Sequence, residues 1–237
     1  MERRLSRPTD VTLIALVATI CAIAGTAGFL LARYPALPDL LPVHFSRRGA
    51  ANGWQYKTYP LVLMPVLVQL AMAIAFGAIA VLLLYSRVSS TADMRGHEER
   101  SRMLLTAEAV TLLAFVWVSF QSVIALQLDS LWRRGRGGLG RVYSAGLATG
   151  ILASLLIGVR AMVLIGKPPA TTVHDSTLWR LKVLYFNPAD PALFVPARRG
   201  FGWTLNFGRP KSIALILAFV AFGLGAPLLI ITFLLRG

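Results

Sequence analysis

Cysteine is nearly missing from this chain, with one residue, Cys21, among 237. A single thiol excludes an intramolecular disulfide framework and a four-cysteine zinc module. Histidine is almost as scarce, and His44, His97 and His174 fall in three separate loops with no metal-ligand spacing. His97 and Glu98 begin a metalloprotease pattern, but Ser101 stands where its second histidine belongs. There is no Gly-x-Ser-x-Gly elbow and no Walker-type phosphate loop. The motifs therefore nominate no catalytic residue, no metal and no cofactor, and an enzyme is disfavoured. Charge is sparse too: charged residues make up 14% of the chain, against about 25% in soluble domains.

Apolar residues make up 56% of the chain, which points to the bilayer as solvent. Five windows are long enough to cross about 30 Å of hydrocarbon at 1.5 Å per helical residue. They run Val11 to Leu31, Pro60 to Leu84, Leu104 to Leu128, Val142 to Ile165 and Ile213 to Leu235. The first exceeds the apolar stretch of a secretory signal and reads as an uncleaved anchor. The expected fold is an all-α membrane protein, a bundle of five transmembrane helices, with a small cytoplasmic three-stranded β meander between helices 4 and 5. Residues 1–165 form the four-helix region with an ordered outer loop at 32–59, residues 166–212 the juxtamembrane β segment, and residues 213–237 the last helix.

The net charge of +14 suits topology signals and anionic headgroups. With the N-terminus inside, the cytoplasmic segments carry fourteen Lys plus Arg and the outer ones nine, Arg160 within a span set aside. Because cytoplasmic loops are enriched in these residues, the expected location is the cell membrane, multi-pass, with a cytoplasmic N-terminus and an external C-terminus.

Ionisable groups inside a bilayer are paired, snorkelling or functional. Two lie within the windows, Glu108 and Arg160, about 6 and 7.5 Å from the same boundary. Either they pair across adjacent helices or each reaches separately for the interface. Gln69 and Gln121 also share a depth, so their amides can meet between the second and third spans. In the fourth span Gly146, Gly150, Ser154 and Gly158 recur every four residues, a groove for close backbone approach, either within the bundle or at a homo-oligomer seam.

Two loops carry the remaining information. In the first, Pro35, Pro38 and Pro42 hold the chain extended and Gly49 and Gly53 supply turns, so an ordered cap is expected. Asp39, His44, Arg47 and Arg48 can form a polar cluster there, with Trp54 and Lys57 nearby as ligand-binding candidates. In the last loop, Trp179, Leu181, Val183 and Tyr185 alternate with Arg180 and Lys182 as a strand would. The turn Asn187 to Pro191 follows, then Leu193 to Pro196, then Trp203, Leu205 and Phe207 after the Gly200 turn. Tyr185, Asn187, Asp190, Arg198, Arg199, Trp203 and Asn206 mark this cytoplasmic platform. Its mixture of basic and aromatic side chains suits an anionic lipid surface, while membrane tethering argues against nucleic acid.

The residues Leu37, Pro38, Asp39, Pro42, His44, Phe45, Gly49, Trp54 and Lys57 resemble the domain of unknown function numbered 1648. Ser46 and Asn52 depart from that pattern, where Asn and Asp are usual, so an acidic ligand implied by the family is missing. Residues 179–208 look like the domain of unknown function numbered 5808. The matching positions are Tyr185, Asn187, Pro188, Asp190, Pro191, Val195, Pro196, Arg198, Gly200, Gly202, Trp203, Thr204, Leu205, Asn206 and Phe207, with Ala197 replacing a basic residue. Some proteins with the first domain are similar to the SdpI-like immunity and signalling proteins of bacteria. That resemblance implies a receptor or immunity-like module with a peptide or protein ligand outside and a protein partner in the cytoplasm. A transporter or permease subunit, and a membrane enzyme using Asp39 and His44 as an acid–base pair, are the alternatives.

Overall fold

The computed structural model describes residues 7–45, 50–85, 94–135, 140–166, 176–190, 192–197 and 203–217. Helix α1 spans Asp10–Arg33, a short α2 spans Tyr59–Val62, α3 spans Met64–Leu84, α4 spans Met94–Arg134 and α5 spans Gly140–Ile165. Among the described residues four helices, all but α2, are long and apolar enough to cross a membrane. Residues 210–217 begin a further helix, and the rest of the expected fifth span, 218–235, lies outside the described residues.

Each boundary has a local cause. Thr9 caps α1 by accepting from the Thr12 backbone N–H at 3.1 Å, and Asp10 and Arg33 sit at the ends that the helix dipole favours. Beyond Arg33, Tyr34–Ala36 tightens into a 3-10 turn containing Pro35. The window from Pro60 is not one helix, because Pro65 has no N–H to bond one turn back, and the chain breaks at Leu63 between α2 and α3.

Helix α4 is the centre of the bundle, and α1, α3 and α5 each pack chiefly on it. Thr9 lies beside Glu108, Thr26 beside Ser122 and Arg33 beside Asp129, so α1 and α4 run parallel. α3 and α5 run against them. On α1 the burial is inverted relative to a soluble helix: Thr12, Thr19 and Thr26 are buried while Ile14 is 68% exposed. That arrangement suits a lipid surround, where aliphatic groups face outward and polar contacts join helices. The chain is a membrane protein of mostly helical architecture.

The first loop is a β-hairpin, an addition to the all-α expectation. Strand β1, Leu40–Phe45, pairs antiparallel with β2, Ala51–Tyr56, with bulges around His44. Prolines permit this because Pro42 stands beside the irregular register. Leu41, fully buried, plugs the bundle end in a cluster with Leu30, Leu37, Leu61, Val62, Val66, Ala125 and Trp132. We call this the cap end.

At the opposite, platform end, the expected three-stranded meander is replaced by two small hairpins. Strand β3, Trp179–Arg180, pairs with β4, Leu184–Tyr185; β5, Phe194–Pro196, pairs with β6, Trp203–Leu205. A parallel bridge between Tyr185 and Asn206 joins them. The run expected as one strand doubles back because Leu181 and Lys182 take left-handed backbone angles, φ 50° and 62°. Trp179 and Tyr185 consequently face each other edge to face, while Leu181 and Val183 stand in solvent.

Candidate functional site

A polar seam runs along α4 with three stations. At the platform end Glu108, 2% exposed, lies with Oε1 2.6 Å from Arg160 Nη1 of α5 and accepts from the Thr9 hydroxyl at 2.5 Å. One carboxylate thus ties three elements, and the Thr9 hydroxyl that donates to it also caps α1. At the cap end Asp129, also 2% exposed, holds Arg133 Nη2 at 2.6 Å and Arg33 Nε at 3.4 Å. Asp129 lies outside the windows assigned from sequence. Twenty-one residues separate Glu108 from Asp129, about 31 Å of helix, which is close to the thickness of the hydrocarbon layer. The spacing of the two buried acids thus matches the thickness of such a layer, and each is held by arginine that is partly exposed.

Between them lies an uncharged knot. The fully buried Gln69 amide of α3 donates from Nε2 toward Val118 O at 2.9 Å, Ser122 Oγ at 2.9 Å and Thr26 Oγ1 at 3.1 Å. Ser122 and Thr26 hydroxyls share a 2.8 Å bond, and the Thr26 hydroxyl also reaches Ala22 O at 2.8 Å. Among the described residues Gln69 Oε1 has no hydrogen-bond partner. The partners of Gln69 are thus Thr26, Val118 and Ser122 rather than Gln121. A readable signal did exist: Thr12, Thr19, Thr26 and Arg33 recur every seven residues, the period of a helix–helix seam.

Of the small residues on α5, Gly146 and Gly150 face α4 in the same chain. A Cβ at Gly146 would lie 3.3 Å from Phe120, and one at Gly150 3.8 Å from Trp117. Ser154 donates back to Gly150 O at 2.8 Å, and a Cβ at Gly158 would meet no described residue within 4 Å.

The hairpin keeps Asp39 and His44 apart. Asp39, 94% exposed at the side chain, lies 3.4 Å from Lys57 Nζ at the open end. Lys57 also donates to Leu37 O at 2.8 Å and sits over the Tyr34 ring, which stacks on Tyr59. His44 stands near the turn with Nδ1 2.5 Å from Asn52 Oδ1. Five residues of strand, about 16 Å, separate Asp39 from His44, so the described geometry assembles no acid–base pair. Asn52, which stands where the resemblance leads one to expect an acid, supplies the partner of His44. Gly53 is required there, since a Cβ would come within 2.8 Å of the His44 Cβ. Trp54 is half exposed, and a Cβ at Gly135 would meet its ring edge at 3.9 Å. Arg47 and Arg48 lie outside the described residues.

The platform is organised by Asn206, fully buried. Its Nδ2 donates to the carbonyls of Asn187 at 2.8 Å, Asp190 at 3.1 Å and Ala192 at 3.2 Å. Its Oδ1 accepts from the backbone N–H groups of Asn187 at 3.0 Å and Gly208 at 3.1 Å. The Tyr185 hydroxyl accepts from Asn187 Nδ2 and donates to Asp190 Oδ2, each at 3.1 Å. Burial, then the Asp190 charge, raises the Tyr185 pKa above 10.0 despite the opposing Asn187 bond. Phe194 packs beside Ile79, Leu104 and Val110 on the cluster Ala80, Leu83, Leu84 and Ala107, seating the platform on the α3–α4 end. Trp203 lies in β6, while Arg198 and Arg199 fall outside the described residues. Among the described residues no group of His, Cys, Asp and Glu could hold a metal ion.

This is a membrane protein with a hairpin cap and a basic-aromatic platform. Two segments match known families: residues 21–68 match the Domain of unknown function (DUF1648), and residues 188–213 match the Family of unknown function (DUF5808). The first match reaches beyond the hairpin into α1 and α3. The second begins at Pro188 and leaves the β3–β4 hairpin outside it. No curated protein and no solved structure matches the chain significantly.

Proposed function

We propose that the chain is a non-enzymatic receptor or immunity-like signalling module of the SdpI-like kind, coupling a ligand at the cap to a partner at the platform. One observation carries this reading. The single helix α4 contributes Ala125 and Trp132 to the cap cluster and Leu104, Ala107 and Val110 to the seat of Phe194. Packed interiors shift between discrete arrangements rather than deforming smoothly, so repacking at one end of α4 biases the other. In this reading the cap faces outward and takes a peptide or protein, the platform is cytoplasmic and holds a protein, and Ile213–Leu235 crosses the membrane fifth. Among the described residues nothing covers Gly158 and the outward face of α5, and in this reading a second copy of the chain packs there. The division into a four-helix region with its cap, a juxtamembrane segment and a last helix belongs to the same proposal.

The test uses the full chain in detergent or nanodiscs, with Cys21→Ser and a fluorophore on a cysteine placed at exposed Ala189. Trp132→Ala at the cap is expected to shift the platform fluorophore's emission, and Phe194→Ala is expected to abolish that response. An emission indifferent to Trp132→Ala overturns the coupling. Accessibility of labels at positions 43 and 189 to an impermeant thiol reagent in sealed vesicles tests the threading: labelling from one and the same side overturns it.

A further inference from the structure

Among the described residues nothing packs over the tip of the β3–β4 hairpin. Leu181 is 83% exposed and Val183 52%, although both are aliphatic and outside every span. The turn closes through Val183 N–H to Arg180 O at 3.2 Å, with left-handed angles at Leu181 and Lys182. Positions at positive φ ordinarily carry glycine or asparagine, since a larger side chain there crowds the backbone. Here a costly conformation holds a large aliphatic group in water.

The base of the hairpin is firm. Trp179 is buried against Tyr185, and the Arg180 guanidinium lies 4.0 Å from the Phe186 ring centroid. The Tyr185–Asn206 bridge locks the hairpin to the unit whose Phe194 is seated on α3 and α4. The tip thus projects from a unit held at the α3–α4 end, where those apolar spans finish. Along the tip, Arg180, Leu181, Lys182 and Val183 alternate cation and aliphatic.

We propose that this tip is a lipid-contacting finger: Leu181 and Val183 enter the acyl boundary of the adjacent leaflet while Arg180 and Lys182 meet anionic headgroup phosphates. Charge complementarity selects this partner, because an anionic membrane surface satisfies aliphatic burial and phosphate contact together at a tip where exposed cations and aliphatics alternate. The finger gives a specific form to the anionic-lipid expectation drawn from composition. It does not depend on cap-to-platform coupling and stands or falls separately.

The full chain with Cys21→Ser and Leu181→Cys, labelled with an environment-sensitive fluorophore, is reconstituted in two kinds of vesicle: mixed phosphatidylglycerol–phosphatidylcholine and phosphatidylcholine alone. A label at position 189 is the reference for general proximity to the bilayer. The expected result is blue-shifted emission at position 181, with quenching by a shallow nitroxide lipid at least about threefold above that at position 189. Lys182→Glu, or omission of the anionic lipid, should reduce that quenching severalfold. Water-like emission at position 181, or quenching equal to that at 189, overturns the proposal, as does indifference to lipid charge. Separately, Leu181→Gly relieves the backbone strain and should leave the platform as protease-resistant as before or more so; a loss of resistance would show Leu181 to be a packing residue and overturn the proposal.

Discussion

At the cap end of α4, eight buried apolar residues from α1, the hairpin, α2, α3 and α4 interlock, while at the platform end one asparagine gathers five backbone groups. Among the described residues Phe194 is the platform side chain that joins the apolar core of the bundle. The cap is therefore continuous with the membrane fold, and the platform is a small unit that folds on its own polar knot and is clipped on. Damage at the cap should spread through the helices; damage at the platform should stay where it is made.

Asn206→Ala breaks this contrast most directly. It leaves two N–H groups and three carbonyls without their side-chain partner, at roughly 1 kcal/mol each and about 5 kcal/mol together, more than so small a unit is expected to hold. Limited proteolysis should then cut within 176–217 while helical circular dichroism persists. Concerted loss of helix would erase the distinction between the ends. Leu41→Ala is next, with a cost of about 3 kcal/mol for a cavity in the cap cluster. Here helix loss should occur at lower temperature or denaturant, with hydrogen exchange rising in α1 and α4 together.

The smaller effects sharpen the comparison. Because the folded Tyr185 pKa lies above the unfolded 10.0, the platform keeps this contribution below pH 10 and loses it as pH climbs through the raised value. Tryptic susceptibility of the platform should rise in that window, and Tyr185→Phe should flatten the dependence. Least of all, Gln69→Leu should change bundle stability by no more than about 1 kcal/mol in either direction. Interhelical hydrogen bonds in membranes are worth about 0.6 kcal/mol on average, and the substitution also removes the unpartnered Oε1. Unfolding in mixed micelles measures it.

Hydropathy alone located the four described spans, because run length against bilayer thickness leaves few alternatives. The polar seam was partly legible. Glu108 and Arg160 stand out as charges in apolar windows, whereas Asp129 fell just beyond one, and the seven-residue threonine repeat carries no charge to draw the eye. The hairpin was obscured by Pro42, which argues against a strand until the adjacent bulge is known. Strand alternation across 179–185 was a false lead, since nothing in Arg180-Leu181-Lys182-Val183 announces a turn that usually needs glycine or asparagine. The role of Asn206 could not be read at all: its five partners are backbone groups up to nineteen residues away, and backbone leaves no mark on spacing.

Helix α4 also overhangs. Ten of its residues, Met94 to Met103, precede the apolar run that opens at Leu104, so roughly 15 Å of rod extends past that run. Measured from Ser122, the far tip lies about 42 Å away, and a lean of about 5° there carries the tip through about 4 Å. Helix α4 thus has the geometry of a lever pivoted at Ser122, in the knot with Gln69 and Thr26, in which small rearrangements at the pivot are magnified at Met94.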